Sequence, residues 1–223
     1  MPRRVLIFDL DGTLIDSAPD LLASINLLLA ELGRRPLSLP ELQRMIGEGA
    51  GMLVKRALAA TGRAERWRAH THRFLEIYDG HAAVHTRPFP GIPELLAALR
   101  PHARLALCTN KPARPTLALL QALGWDTVFE VVVGGDSLSE RKPHPAPLLY
   151  ILEELGVTQC DALLVGDSPA DAGAAQAAGL DFVAVRWGYS RIPVDDMQAI
   201  KRVGDVGVLQ RYLYTSIVDA PDP

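Results

Sequence analysis

A short run of apolar residues, Val5 to Phe8, lies near the start of the chain and leads directly to Asp9 and Asp11. A continuous apolar run of this length is typical of a strand that is buried on both faces of a parallel sheet. Two carboxylates so close together repel each other, and neither is expected inside such a strand. The sequence therefore predicts a buried strand whose carboxyl end carries two acidic groups that need a compensating charge.

Apolar runs of the same kind recur along the chain and alternate with stretches of helical periodicity. The runs lie at residues 105–108, 128–133, 162–165 and 182–185, and the helical stretches lie at 115–123, 147–155 and 170–178. Strands that alternate with helices indicate an α/β fold in which a parallel sheet is doubly wound by right-handed crossovers. We therefore predict a Rossmann-like core that includes the first strand.

The connection between the first two predicted strands is unusually long, at about ninety residues, and one connecting helix needs far fewer. Ser17 and Ser38 each begin a predicted capping box, and Gly33 predicts the end of the first helix. A glycine-rich break at 47–51 precedes two further helical stretches, at 52–60 and 64–79. We predict an all-helical cap at residues 16–82, inserted into a core formed by residues 1–15 and 83–223, with a disordered tail at 219–223.

Composition excludes several classes of function. The 223 residues are 48% hydrophobic and carry a formal net charge of −3, which argues against nucleic acid or an anionic membrane as a partner. No apolar stretch reaches the length of a membrane span, and the first residues lack a signal-peptide pattern. Cys108 and Cys160 are expected to be buried and reduced. We therefore expect a cytoplasmic protein, monomeric or homodimeric.

Polar residues collect where the predicted strands end. Asp9 follows the first strand, Thr109 and Asn110 follow the second, Lys142 lies in the loop after the third, and Asp167 follows the fourth. Ligands of open parallel sheets bind beyond the carboxyl ends of the strands, near the switch in strand order. We therefore expect these side chains to form one site.

The residue types in this site suit phosphoryl transfer. Asp9 can attack phosphorus as a carboxylate nucleophile, and Asp11 can protonate the leaving oxygen and later accept a proton from water. Lys142 and the Thr109 hydroxyl can bind phosphoryl oxygens. Phosphate and carboxylates repel each other, so a divalent cation is needed among them. Oxygen ligands, with Asp167 as a further carboxylate, favour Mg²⁺.

Four ordered segments of the chain resemble the motifs of the haloacid dehalogenase-like hydrolase superfamily. They are Asp9-Leu10-Asp11-Gly12-Thr13, Thr109-Asn110-Lys111, Lys142-Pro143 and Gly166-Asp167-Ser168-Pro169-Ala170-Asp171. The resemblance spans nearly the whole chain, and the helical insert matches the cap domain of that family. It implies an aspartyl-phosphate mechanism, with Asp9 as nucleophile, Asp11 as acid and base, and Thr109 and Lys142 on phosphate.

The resemblance also implies the ligands of magnesium. They are the carboxylates of Asp9 and Asp167 and the backbone carbonyl of Asp11, with Asp171 supporting the metal directly or through another ligand. Thr13 and Asn110, which belong to the same motifs, are predicted to bind substrate. The cap loop Gly47-Glu48-Gly49 is predicted to contact the non-phosphate end of the substrate.

Several activities remain open within the superfamily. Asp11 argues against dehalogenases, which lack an acid at this position, and Thr13 favours phosphatases over hexose-phosphate mutases. Phosphonatases of the superfamily use a lysine of the cap to form an imine, and Lys55, a lysine in the insert, leaves this chemistry possible. A non-catalytic phosphate-binding regulatory protein would have lost at least one of Asp9, Asp11, Lys142 and Asp167, and all four are present.

Finer similarity is to the bacterial phosphoglycolate phosphatases of carbohydrate metabolism. It lies in Arg87-Pro88-Phe89-Pro90-Gly91, Gly134-Gly135-Asp136-Ser137-Leu138, Arg141-Lys142-Pro143-His144-Pro145 and Gly188-Tyr189-Ser190. The segment at 204–209 departs from the aspartate-rich final strand of these enzymes, which leaves the last strand pairing open. 2-Phosphoglycolate is the predicted substrate, and another small phosphorylated metabolite, such as a sugar or amino-sugar phosphate, is the alternative.

Overall fold

The strand β1 (Val5–Phe8) lies inside the sheet, as its apolar sequence predicts. The structure, a computed structural model, describes residues 4–218, so the tail predicted to be disordered lies outside the described residues. The other strands are β2 (Ile15–Asp16), β3 (Arg87–Pro88), β4 (Arg104–Cys108), β5 (Val131–Val133), β6 (Ala162–Gly166), β7 (Asp181–Val185) and β8 (Lys201–Val203). The α-helices are α1 (Ala18–Glu31), α2 (Leu39–Gln43), α3 (Ala50–Thr61), α4 (Trp67–Asp79), α5 (Ile92–Leu99), α6 (Ala113–Ala122), α7 (Ala146–Leu155), α8 (Pro169–Ala178) and α9 (Val206–Val218).

The main sheet has six strands in the order β5-β4-β1-β6-β7-β8, and every neighbouring pair is parallel. The chain runs from β1 outward through β4 to β5 and then returns to β6 on the other side of β1. The order therefore reverses at β1, so the switch point of the sheet lies at the carboxyl end of this strand. The predicted doubly wound α/β fold is confirmed.

Alternation along the strands separates two apolar cores, one on each face of the sheet. Leu6 and Phe8 belong to one core, whereas Val5 and Ile7 belong to the other, because successive side chains of a strand point to opposite faces. Helices α5, α6 and α9 contribute to the first core, and α7 and α8 contribute to the second. Apolar runs without alternation in the sequence thus reflect burial on both faces.

The insert between β1 and β4 forms a helical cap, as predicted, in which α4 packs against both α1 and α3. Its two connections to the sheet lie side by side, because β2 and β3 pair in antiparallel fashion. The carboxylate of Asp20, which is 1% exposed, accepts hydrogen bonds from the backbone N–H groups of His85 (2.9 Å) and Thr86 (2.8 Å). The Thr86 hydroxyl donates a further bond to it at 2.8 Å. The start of α1 is thereby fastened to the return connection.

Local predictions in the cap succeeded in part. The Ser38 capping box is confirmed, and the chain leaves α1 through Gly33 at a φ of +64°. Its neighbour Arg34 donates a backbone bond of 2.9 Å to Leu29, which is the closing bond of a Schellman motif. The predicted Ser17 capping box is wrong, because the Ser17 hydroxyl donates to Asp11 instead of capping α1.

The structure also corrects two predictions in the core and shows a strand pairing that the sequence left open. The strand predicted at 128–133 is confined to β5, because Val128 lies in a turn closed by a 3.1 Å bond from its N–H to the Trp125 carbonyl. The last strand pairing, left open by the sequence, is formed by β8, which pairs with β7 and is followed by α9. Cys160 is exposed, whereas Cys108 is buried as predicted. Within the described range, no helix combines the length and apolarity that a membrane crossing requires.

Candidate active site

Three neighbouring strands bring the predicted site residues together at one edge of the sheet. Asp9 follows β1, Thr109 follows β4, and Asp167 follows β6, and these strands are hydrogen-bonded neighbours around the switch point. All three side chains are buried, with exposures of 7%, 4% and 2%. The parallel arrangement therefore gathers residues that are up to 158 positions apart in sequence, as the alternation of strands and helices predicts.

Three buried carboxylates form the centre of this edge. One carboxylate oxygen from each of Asp9, Asp167 and Asp171 lies within 4.8 Å of the other two. The pKa of Asp9 is raised from 3.8 to about 7, chiefly by burial, while Lys142 opposes the shift and the neighbouring Asp171 adds to it. Burial and the two neighbouring carboxylates also raise the pKa of Asp167 well above its usual range. The cluster is therefore a concentration of negative charge that favours a cation.

Lys142 supplies part of the positive charge that the carboxylate cluster favours. Its Nζ lies 2.9 Å from Asp9 Oδ1 and 2.6 Å from Asp171 Oδ1, and it also donates to the carbonyl of Cys108. Burial opposes the charge on Lys142, but the two carboxylates outweigh it and raise the pKa of the ammonium group. Asp171 is itself held by the Ser168 backbone N–H (3.0 Å) and hydroxyl (2.6 Å) at the start of α8. A fixed positive charge thus lies beside the proposed nucleophile.

Asp167 is oriented by groups behind the cluster. Its Oδ1 accepts a 3.2 Å hydrogen bond from the Thr13 hydroxyl, and its Oδ2 accepts a 2.6 Å bond from the Tyr189 backbone N–H. A Cβ on Gly12, whose φ is +89°, would lie only 2.5 Å from Asp167 Oδ2, so the turn after Asp11 requires glycine. Thr13, predicted to bind substrate, is fully buried behind Asp167 and outside the cleft. Its predicted role in substrate binding therefore remains a prediction, and the contact that the structure shows for its hydroxyl is with Asp167.

Asp11 lies at the border between the carboxylate cluster and the cap. Its Oδ1 accepts a 2.5 Å hydrogen bond from the Ser17 hydroxyl, and both of its oxygens lie within 3.2 Å of Lys111 Nζ. Its side chain is 14% exposed and lines the cleft described next. Asp11 is thus accessible to a bound molecule.

A cleft lies between the cap and the edge of the sheet. Helices α1, α3 and α4 provide an apolar wall, and the sheet provides a polar floor. The wall includes Leu21, Leu53, Phe74, Leu75 and Tyr78, and the floor includes Asp9, Asp11, Thr109, Asn110 and Lys111. The cleft is therefore suited to a small molecule with a strongly polar end.

The cap loop meets the floor of the cleft through its backbone. Asn110 Nδ2 donates to the carbonyls of Gly47 (3.0 Å) and Lys142 (2.9 Å), whereas no described residue bonds to its buried Oδ1. Gly47 and Gly49 line the cleft, but Glu48 does not. The Glu48 carboxylate pairs with Arg56 at 2.7 Å and with Arg191 from the core.

The prediction that Glu48 binds substrate remains a prediction, and in this structure its carboxylate pairs with arginines. Its charge is directed to two arginines outside the cleft, and it joins the cap loop to the segment after β7. The prediction for Gly47, Gly49 and Asn110 remains a prediction, and their position on the cleft is compatible with it.

Sequence reasoning assigned no role to Lys111 or Tyr78. Lys111 belongs to a quoted motif, so its presence near the site was expected, but its partner was not. The Tyr78 hydroxyl, at the end of α4, accepts a 2.7 Å bond from Lys111 Nζ. This contact joins cap and core across 33 residues, and no local pattern in the sequence indicates it.

The donor set fits a hard divalent cation. Asp9, Asp167 and Asp171 offer only oxygen atoms and are buried, and burial together with the neighbouring carboxylates raises the pKa values of Asp9 and Asp167. Oxygen donors of this kind are the ligands of Mg²⁺ and Ca²⁺ rather than of the softer transition metals.

Comparison with known proteins agrees with this site. The sequence model of the haloacid dehalogenase-like hydrolase family matches residues 6–185. A phosphoglycolate phosphatase from Rhodospirillum rubrum is 45% identical, and the alignment covers 96% of this chain and 91% of that protein. A phosphoglycolate phosphatase from Pseudomonas putida is 39% identical over 88% of this chain and 78% of its own length.

Among solved structures, a predicted phosphoglycolate phosphatase from Haemophilus somnus is similar to the whole described fold. Its TM-score is 0.87 at 34% sequence identity, and the alignment covers 94% of this chain and 97% of that chain. The similarity therefore extends over both the sheet and the helical cap.

Proposed function

The chain belongs to the haloacid dehalogenase-like hydrolase family, and from this premise we propose that it is a Mg²⁺-dependent phosphatase of 2-phosphoglycolate. The activity of a phosphoric monoester hydrolase follows from the family and from the relatives that are phosphoglycolate phosphatases. We place it in the cytoplasm, as a monomer or homodimer, with a small phosphorylated metabolite rather than nucleic acid or a membrane as its partner.

The observation that carries the proposal is the contact between Asp9 and Lys142 in the buried carboxylate cluster. A carboxylate nucleophile needs a nearby cation to approach a phosphate dianion, and Lys142 Nζ is 2.9 Å from Asp9 Oδ1. The same ammonium group can balance charge on the equatorial phosphoryl oxygens in the transition state. Thr109, buried at the end of β4, is within the same cleft and offers a hydroxyl donor.

In the proposed first step, one Asp9 oxygen forms a bond to phosphorus while the bond between phosphorus and the ester oxygen breaks. The electron pair of the broken bond passes to the ester oxygen, which takes a proton from Asp11. Glycolate leaves, and the phosphoryl group remains on Asp9 as an acyl phosphate.

In the second step, water attacks phosphorus and gives a proton to Asp11. The bond between phosphorus and Asp9 breaks, and its electron pair returns to the carboxylate. Inorganic phosphate is released, and both aspartates regain their initial protonation states. Asp11 therefore serves as acid first and as base afterwards, and its exposure to the cleft permits both transfers.

The carboxylates of Asp9 and Asp167 and the backbone carbonyl of Asp11 would hold Mg²⁺. Asp171, whose oxygens contact Lys142 and Ser168, would support the site through these neighbours. The bound ion would reduce repulsion between the phosphate and the carboxylates and withdraw charge from the phosphoryl oxygens. The cap would exclude bulk water from the cleft during the reaction.

The test is the release of inorganic phosphate from a panel of esters by the purified enzyme. The panel contains 2-phosphoglycolate, a hexose phosphate, an amino-sugar phosphate and 4-nitrophenyl phosphate, each with Mg²⁺ and with EDTA. We expect the highest kcat/KM for 2-phosphoglycolate and no turnover after chelation. A higher kcat/KM for a sugar phosphate would refute the proposed substrate, and full activity in EDTA would refute the proposed metal.

A further inference from the structure

The cleft contains a buried cation that the phosphatase chemistry does not use. Lys111 is 5% exposed and follows Thr109 by two residues, so its side chain enters the cleft from the end of β4. Lys142 is committed to Asp9 and Asp171, which lie at the phosphate end. Among the described side chains that line the cleft, Lys111 alone carries a positive charge.

Burial of this lysine is costly unless its charge is balanced. Asp11 lies 3.1 Å from Nζ, and the Tyr78 hydroxyl lies 2.7 Å from it. The ion pair with Asp11 and the bond to Tyr78 therefore hold the Lys111 ammonium group inside the cleft.

Tyr78 adds a second donor at the same place. An ammonium group only donates hydrogen bonds, so the Tyr78 oxygen accepts from Lys111 and its own proton remains for another acceptor. Burial raises the pKa of the Tyr78 phenol, so the hydroxyl stays protonated. Phe74 stacks on the Tyr78 ring with 5.8 Å between the ring centroids, which restricts the orientation of that ring.

The position of Asp11 relates this pair of donors to the substrate. As the proposed acid, Asp11 must contact the ester oxygen of the substrate. In 2-phosphoglycolate the carboxylate carbon is two bonds beyond that oxygen, so the carboxylate lies close to groups that touch Asp11. Lys111 Nζ is such a group, at 3.1 Å and 3.2 Å from the two Asp11 oxygens.

We propose that Lys111 and Tyr78 bind the carboxylate of the substrate and thereby select 2-phosphoglycolate over phosphate esters without a carboxylate. This inference rests on the proposed function and names the residues that give it specificity. The surrounding wall of the cleft is apolar, so a carboxylate has few other partners there. Lys111 comes from the core and Tyr78 from the cap, so a bound carboxylate would contact both parts of the protein.

The test compares Lys111→Met with the unmodified enzyme on three substrates in Mg²⁺. Ethyl phosphate has a methyl group where 2-phosphoglycolate has its carboxylate, and both have alkoxide leaving groups that require Asp11. 4-Nitrophenyl phosphate has a leaving group that hardly needs protonation. The ratio of kcat/KM for 2-phosphoglycolate to that for ethyl phosphate therefore isolates recognition of the carboxylate from any effect of Lys111 on Asp11.

We expect this ratio to fall by at least about 30-fold in Lys111→Met, mainly through a higher KM for 2-phosphoglycolate. Lys111→Arg should recover part of the ratio because it keeps the charge. Tyr78→Phe should lower the ratio by about 10-fold. Lys55→Met, which removes an exposed lysine of the cap, is the matched control and should leave the ratio unchanged.

Each other result overturns the inference. Equal losses on the two alkyl esters, with 4-nitrophenyl phosphate unaffected, would show that Lys111 acts only through Asp11. Equal losses on all three would show a structural role. If Lys111→Met does not fold, an unchanged ratio in both Lys111→Gln and Tyr78→Phe overturns the inference. If the unmodified enzyme itself does not hydrolyse 2-phosphoglycolate, the proposed function fails instead.

Discussion

Replacing Asp9 with Asn should abolish turnover and, at the same time, stabilise the metal-free protein. The change removes the proposed nucleophile and also one negative charge from the buried cluster of Asp9, Asp167 and Asp171. The pKa of Asp9 is raised from 3.8 to about 7, so its ionisation opposes folding. Because the pKa is raised on folding, ionisation of Asp9 lowers the free energy of unfolding. This destabilisation is absent below pH 4, grows as the pH rises, and is complete above pH 8.

The size of the effect follows from linkage. A shift of the Asp9 pKa from 3.8 to about 7 makes the unfavourable contribution larger by about 2 to 3 kcal/mol at pH 8 than at pH 5. The stability of Asp9→Asn relative to the unmodified protein should rise by that amount between these pH values. Urea unfolding in EDTA at both pH values measures this change. Any effect of the Asn side chain that does not depend on pH cancels when the difference between variant and unmodified protein at pH 8 is compared with the difference at pH 5. A relative stability that stays constant or falls with pH would refute the reasoning.

Other consequences of the site can be tested separately. Asp11→Asn should lower kcat/KM for 2-phosphoglycolate by about 100-fold or more but kcat/KM for 4-nitrophenyl phosphate far less, because kcat/KM reports the first step alone, and equal losses of kcat/KM in a kinetic assay would contradict its role as acid. Mg²⁺ should raise the melting temperature of the unmodified protein in a concentration-dependent way, but not that of Asp167→Asn, and equal shifts in a thermal-shift assay would place the ion elsewhere. Asp20→Ala should lower the free energy of unfolding by about 3 kcal/mol because it leaves the N–H groups of His85 and Thr86 and the Thr86 hydroxyl without partners. A loss below about 1 kcal/mol in urea unfolding would show that the fastening of α1 contributes little.

The sequence predicted the sheet and the gathering of Asp9, Thr109 and Asp167 because both depend on local patterns. A fully apolar run fixes a buried strand, and the carboxyl ends of parallel strands meet at one edge whatever their separation in sequence. The same reasoning applied to the end of the chain left the last strand open, because β8 (Lys201–Val203) is short and mixes charged and apolar residues.

Contacts that depend on the position of the cap relative to the core could not be predicted from the sequence. Thr13 belongs to the motif of the site, yet whether its hydroxyl faces substrate or Asp167 depends on a turn that only the three-dimensional arrangement defines. Glu48 lies in the predicted loop, but its carboxylate is drawn to Arg191 from a distant segment. Such pairings arise from tertiary packing, and no periodicity in one sequence records them.

Asp9 is the residue proposed to receive the phosphoryl group, and this transfer can be observed directly. Asp11→Asn should transfer phosphate rapidly from an aryl ester to the enzyme but hydrolyse the acyl phosphate slowly, so the intermediate should accumulate. The measurement is rapid acid quenching with a phosphorus-labelled aryl phosphate, followed by borohydride reduction and mass spectrometry of the peptides. We expect label to build up and reduction to convert Asp9, and no other aspartate, to homoserine. Label on another residue, or turnover of the aryl ester without any label on the protein, would contradict this expectation.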